Sequence, residues 1–146
     1  MRLKKSVVKK PPRRKRNEAA FQADFVVLFR REAKKLKPEP LIFSVNNNAK
    51  GLVRGAINKA MGCLAGIPDL VVVYEGRVAF IEMKATGLSV SGLSSAQKAC
   101  HRDLAKLGHS VLVLEEPSNL KRTSRVEIEK AVLPIVLETM EYLNII

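Results

Sequence analysis

The chain has 146 residues, which at roughly 150 per domain predicts a single domain. Hydrophobic residues make up 47% and charged residues 27%, a globular balance that argues against a largely disordered protein. Two cysteines (Cys63, Cys100) and two histidines (His101, His109) exclude a disulfide framework, a four-thiolate zinc site and a HExxH metalloprotease. No apolar run approaches the ~18 residues of a membrane span, and no signal-peptide pattern opens the chain. A soluble cytoplasmic protein is expected.

The net charge of +12 is unevenly spread. Residues 1–16 hold nine Lys or Arg and no acid, whereas the remainder holds 17 basic and 14 acidic residues. The sequence thus reads as a basic arm (1–16), expected to be disordered in isolation, and one nearly balanced domain (17–146). Arg13, Arg14, Lys15 and Arg16 are candidates for binding DNA phosphates with counterion release. A solubilising tail or a targeting address is the alternative.

In chain order, apolar residues at helical spacing predict a helix from Asn17, as N-cap, to about Lys37, stopped by Pro38 and Pro40. Leu41–Val45 reads as a short strand. A polar stretch, 46–51, then leads into a weakly helical segment ending near Gly62. Asp69–Tyr74 is almost wholly apolar, as for a strand covered on both faces. Glu75-Gly76 forms the turn to a second strand, Arg77–Lys84. After a loop, Ser94 caps a helix that Gly108 stops, Ser110–Leu114 is a strand, and an amphipathic helix runs from about Ser124 to Leu143. The order α-β-α-β-β-α-β-α predicts an α/β fold, a mixed central sheet flanked by helices.

The chemistry concentrates at Pro68, Asp69, Glu82 and Lys84. Strand residues two apart share a face, so Glu82 and Lys84 point one way and Met83 the other. Hairpin pairing sets Asp69 opposite the Glu82–Lys84 end. Two carboxylates and an ammonium then meet at the edge of an apolar sheet, where desolvation costs several kcal/mol per ion. A hard divalent cation, Mg2+ or its substitute Mn2+, would offset that cost. Lys84 would orient or deprotonate the attacking water and neutralise a phosphate. Glu18, with Gln22 one turn on, could add a carboxylate from the first helix. The alternative is an Asp at a turn beside an ordinary Glu–Lys surface pair.

The segment GIPDLVVVYEGRVAFIEMKATG, followed by LSSAQKACHRDLAKLGHSVLVL, resembles the virus-type replication-repair nuclease domain of the PD-(D/E)xK superfamily. Glu18 with Gln22, FSVNNNAKG, GIPDL, IEMK and LSSAQ occur in that order. The resemblance implies a restriction-endonuclease-like core and a metal held by Asp69, Glu82 and the Met83 backbone carbonyl. It implies Lys84 as the catalytic lysine, Glu18 as the first-helix acid and Gln97 as a contact to phosphate or water. The asparagine-rich loop, Asn46–Lys50, departs from the family's more glycine-rich sequence. Lys50, Arg54 and Lys59 are candidates for the DNA backbone, with a solvated face as the alternative.

Short standalone chains of this kind imply a homodimeric nuclease for branched DNA, a Holliday junction resolvase of bacterial or phage type. Flap, nick or restriction-like cleavage is the enzymatic alternative, and a non-catalytic DNA-binding protein the alternative from another class. The last helix, with Val132, Leu133, Val136, Leu137, Met140 and Leu143, is a candidate dimer surface or simply packs on its own domain. His101, on the face of Gln97, is a minor candidate base; His109 reads as structural or exposed, and both cysteines as small buried or half-buried residues.

Overall fold

A computed structural model of the protein describes residues 13–45, 52–88 and 90–146. Five α-β elements precede the second half of the fold: α1 (Arg13–Ala33), β1 (Leu41–Ser44), α2 (Leu52–Ala60), β2 (Leu70–Tyr74) and β3 (Arg77–Lys84). A single 3-10 turn (Val90–Gly92), α3 (Ser95–Lys106), β4 (Ser110–Glu115) and α4 (Arg125–Tyr142) complete it. The element order is the expected one.

The strands form one sheet in the order β1-β2-β3-β4. β1–β2 and β2–β3 are antiparallel, and β3–β4 is parallel. The hairpin closes at Glu75 (φ 42°) and Gly76 (φ 76°), both in the left-handed region that a two-residue turn of matching twist requires. β4 is parallel to β3 because α3 carries the chain back between them.

One sheet face carries the core. Ile42, Leu70, Val72, Ala79, Ile81 and Met83 pack against Phe21, Phe25 and Phe29 of α1 and Val132, Val136 and Met140 of α4. Burying each phenylalanine contributes on the order of 2 kcal/mol, and the Phe25 and Phe29 rings also meet at 6.0 Å. The opposite face is only partly covered. Leu41, Phe43 and Val73 are exposed there, so β2 is not buried on both sides as its composition suggests.

Helix α1 differs from the sequence reading at both ends, and stops at Ala33 rather than near Lys37. α1 starts at Arg13, so Asn17 lies inside the helix rather than capping it, and 13–16 belong to α1 rather than to the arm. Arginine and lysine are good helix formers, which extends the helix back four residues without any apolar periodicity. In α4, Val132, Val136, Met140 and Leu143 are buried in their own domain, which removes them from any dimer surface. Leu133 and Leu137 are half-buried and line an apolar groove with Val126 and Pro134. Among the described residues, no helix is long and apolar enough to cross a membrane.

Candidate active site

The site lies at the open end of the β2–β3 hairpin. Leu70 pairs with Ile81, so Asp69, one residue before β2, falls beside Glu82. Its backbone carbonyl accepts from the Val45 N–H at 2.9 Å, which extends the β1–β2 ladder by one step. Its carboxylate Oδ2 accepts from the Met83 N–H at 2.8 Å. The carboxylate is thereby held across the strand end. Met83 is buried in the core, and by the two-residue period Glu82 and Lys84 project to the other side.

Two helices help to complete a cleft of about 630 Å³ around this strand end. Glu18 and Gln22 line it from α1, one helical turn apart, and Gln97 lines it from the first turn of α3. Because the buried face of α1 is locked by Phe21, Phe25 and Phe29, Glu18 and Gln22 are held at the cleft wall. Gln97 has a double function. With Ser94 it forms a capping box, its amide N–H bonding Ser94 Oγ at 3.1 Å and its Oε1 accepting from the Ser94 N–H at 2.8 Å. Its Nε2 also donates to Glu82 Oε1 at 2.6 Å, and Lys84 Nζ donates to its Oε1 at 3.4 Å.

Glu82 and Lys84 are 2% and 7% exposed, a buried ion pair with Nζ 3.1 Å from Oε1. Both donors, Lys84 and Gln97, act on Oε1; Oε2 is buried and has no hydrogen-bond partner. Burial, reinforced by the Asp69 charge and opposed by Lys84, pushes the Glu82 carboxyl up to about 7. Burial also raises Asp69, against the Met83 N–H, Lys84 and His101. Such strained protonation at a concave site marks a place where charge is waiting for a partner.

The sequence profile of the VRR-NUC domain matches residues 14–115. The chain belongs to the VRR-NUC family. A nuclease domain acting on DNA is what that membership implies. The chain is also similar to a solved VRR_NUC domain protein, at 25% identity and a TM-score of 0.54, covering 86% of this chain and 88% of that one. No curated protein matches it. The α/β architecture, a mixed sheet flanked by helices, is the VRR-NUC fold.

In this VRR-NUC domain Asp69, Glu82, Lys84, Gln97 and Glu18 all reach one cleft. They do not all converge on one point. Among the described residues, no group of three His, Cys, Asp or Glu side chains is placed to hold a metal ion. Glu18 lines the same cleft, and its charge raises the Glu82 carboxyl. Two carboxylate oxygens, one of them the orphaned Glu82 Oε2, still fit Mg2+, which keeps several waters and takes one or two protein carboxylates. Lys50 lies outside the described residues, as do the side chains of Arg13, Arg14, Lys15, Arg16 and Arg54.

The loop side of the VRR-NUC site escapes a reading of the sequence. Leu88 and Gly92 line the cleft from the loop after β3, with no signal beyond loop composition. Gln97 as the third helical residue of a capping box was legible in the Ser94-x-x-Gln97 spacing, a signature of helix starts. His101 stands on α3 with its Nε2 buried and without a hydrogen-bond partner. Burial and the Lys84 charge lower its pKa, against Asp69, so its uncharged form is favoured.

Proposed function

We propose that this VRR-NUC domain is a Mg2+-dependent endonuclease for branched DNA, with Mn2+ as substitute, acting as a homodimeric Holliday junction resolvase in the cytoplasm. The observation that carries the metal reading is Glu82 Oε2, buried and partnerless beside Asp69 in a cleft wide enough for a phosphodiester. Asp69 and Glu82, with the Met83 carbonyl between them in the β3 backbone, would hold the ion. When bound, it supplies Lewis acidity at the phosphate and makes an attacking water more acidic.

The chain's own residues do the rest. Lys84 and Gln97 fix Glu82 Oε1, which leaves Oε2 for the cation the site would hold. The Lys84 ammonium neutralises the scissile phosphate and orients the water. Gln22 and Glu18 bound the cleft opposite the hairpin, where they meet the sugar-phosphate strand or its hydration shell. Residues 1–12 carry five further Lys or Arg, which we assign to sequence-independent phosphate contacts. Dimerisation is argued from economy: one such site cuts one strand, and a two-fold pair cuts both opposed strands of a junction.

The test is incubation of purified protein with junction, flap, duplex and single-stranded DNA, with Mg2+ or Mn2+ and with chelator. Preferential, metal-dependent cutting of four-way junctions supports the whole reading. Equal cutting of flaps and junctions by a monomer would leave a nuclease and remove the resolvase. Binding without cleavage under any metal would favour a non-catalytic DNA-binding protein, although Asp69, Glu82 and Lys84 are all in place.

A further inference from the structure

The loop that delivers Asp69 to β2 touches the helix that delivers Gln97. Gly66, three residues before Asp69, has φ +77°, and its backbone lies directly on the first turn of α3. A Cβ at Gly66 would fall 2.5 Å from the Gln97 amide nitrogen and closer still to the Ala96 carbonyl. These are backbone atoms of a helix, so no side-chain rotation relieves the overlap. The helix or the loop must move.

Which of the two yields follows from how each is anchored. The loop runs into β2, whose Leu70 and Val72 are fully buried. α3 has a single buried residue, Cys100, and otherwise lies over the half-covered sheet face. The helix is therefore the lighter partner and shifts first. Gln97 rides on the turn that would be displaced, and its 2.6 Å bond to Glu82 Oε1 tolerates little movement.

We propose that Gly66 is a positioning residue for the Glu82–Lys84 pair: its missing side chain lets the α3 N-terminus seat on the loop and so sets the reach of Gln97. The inference rests on the nuclease reading only for its consequence in catalysis. Gly66 touches neither substrate nor reacting atoms; it acts through Gln97.

The experiment compares Gly66→Ala with Gly62→Ala, in the full chain. Gly62 has φ +92° and nothing within 4 Å of a built Cβ, so it shares the backbone strain without the overlap. The first readout is the Gln97 side-chain amide resonance in metal-free protein, assigned by its loss in Gln97→Ala. It should move toward the position of a solvated glutamine in Gly66→Ala and stay in place in Gly62→Ala. The second is cleavage with Mg2+. Gly66→Ala should lower kcat by ~10- to 100-fold, the scale of an ångström-level misplacement, with KM changed little. In a Gln97→Ala background the same substitution should cost almost nothing more, because the residue it acts through is gone.

An unmoved Gln97 resonance, or losses that multiply in the double variant, would overturn the proposal and leave the nuclease reading intact. A displaced resonance in a protein that cuts no DNA would sink the nuclease reading and leave the positioning role standing. Should Gly66→Ala not fold, Gly66→Asn tolerates positive φ and still carries the offending Cβ. Failure of both to fold, with Gly62→Ala folded, would overturn the proposal in favour of a global structural role.

Discussion

The two ends of the β2–β3 hairpin treat charge in opposite ways. At the turn, the Arg77 guanidinium is exposed to water yet partnered. It donates to the Leu143 and Asn144 carbonyls at 3.2 and 3.1 Å, closing the end of α4, and lies 4.3 Å from the centre of the Tyr74 ring. At the open end, Glu82 is buried, keeps one oxygen without a partner and is pushed up to about 7. Four residues of one strand lie between a partnered cation and a frustrated anion. Folding alone explains the first, because each contact stabilises α4 and the hairpin. It does not explain the second, since a well-packed apolar residue at position 82 would be at least as stable. Under the proposed function, the cost is retained for the cation the carboxylate would hold.

The sharpest way to break this contrast is to neutralise the open end. Asp69→Asn, Glu82→Gln and Lys84→Ala should each lower cleavage by about 10³-fold or more, several kcal/mol of transition-state stabilisation. Circular dichroism should stay that of the folded protein. Near-normal cutting by Glu82→Gln would remove the metal site; near-normal cutting by Lys84→Ala would remove only the lysine from the mechanism.

A second test reads the same carboxylate through stability. Glu82 titrates at about 7 folded against 4.5 for a free side chain, so between these values the folded state binds the extra proton. Stability of metal-free protein is full below about pH 4.5 from this group and declines as pH rises to about 7, by about 1–3 kcal/mol. Urea unfolding at pH 5 and pH 8 measures it. The decline should shrink in Glu82→Gln, the remainder coming from the raised Asp69 and Glu116 carboxyls, and Mg2+ should restore the wild type at pH 8 by binding the ionised form of Glu82. An equal decline in both proteins would assign the effect elsewhere.

The turn end supplies the converse. Arg77→Ala should cost about 1–2 kcal/mol, from two charged hydrogen bonds and the ring contact at a partly solvated site. Cleavage at a temperature well below unfolding should be unchanged. A loss of activity without a loss of stability would mean the hairpin transmits strain between its ends.

The smallest effect probes whether a frustrated acid always signals function. Glu116, after β4, is 8% exposed, and its Oε2 also lacks a partner. Burial raises its pKa against the nearby Arg122, but it lies outside the cleft lining. Glu116→Gln should gain about 0.5–1 kcal/mol at pH 8, a rise of ~1–4 °C in Tm for a domain of this size, with cleavage unaltered. Collapse of cleavage in this variant would extend the active site to β4.

Much of this was legible in one dimension. The apolar runs Leu70–Tyr74 and Arg77–Lys84, joined by Glu75-Gly76, determined the hairpin, and the period of two then determined that Glu82 and Lys84 share a side. Covalent spacing and strand geometry suffice for that. The phenylalanines of α1, at helical spacing, likewise determined which of its faces is buried and left Glu18 and Gln22 at one edge. Less local matters escaped. Nothing in the apolar run of β2 said that Val73 would remain exposed, because burial of a strand face depends on which helices arrive over it. Nor could spacing tell how closely Glu18 would approach Asp69 and Glu82, since α1 meets the sheet at a distance set by phenylalanine packing. The protonation of Glu82, the orphaned Oε2 and the seat of Gln97 on Gly66 were decided only by the tertiary structure. Each is a sum over atoms brought together from separate parts of the chain, and desolvation and steric contact exist only once those parts meet.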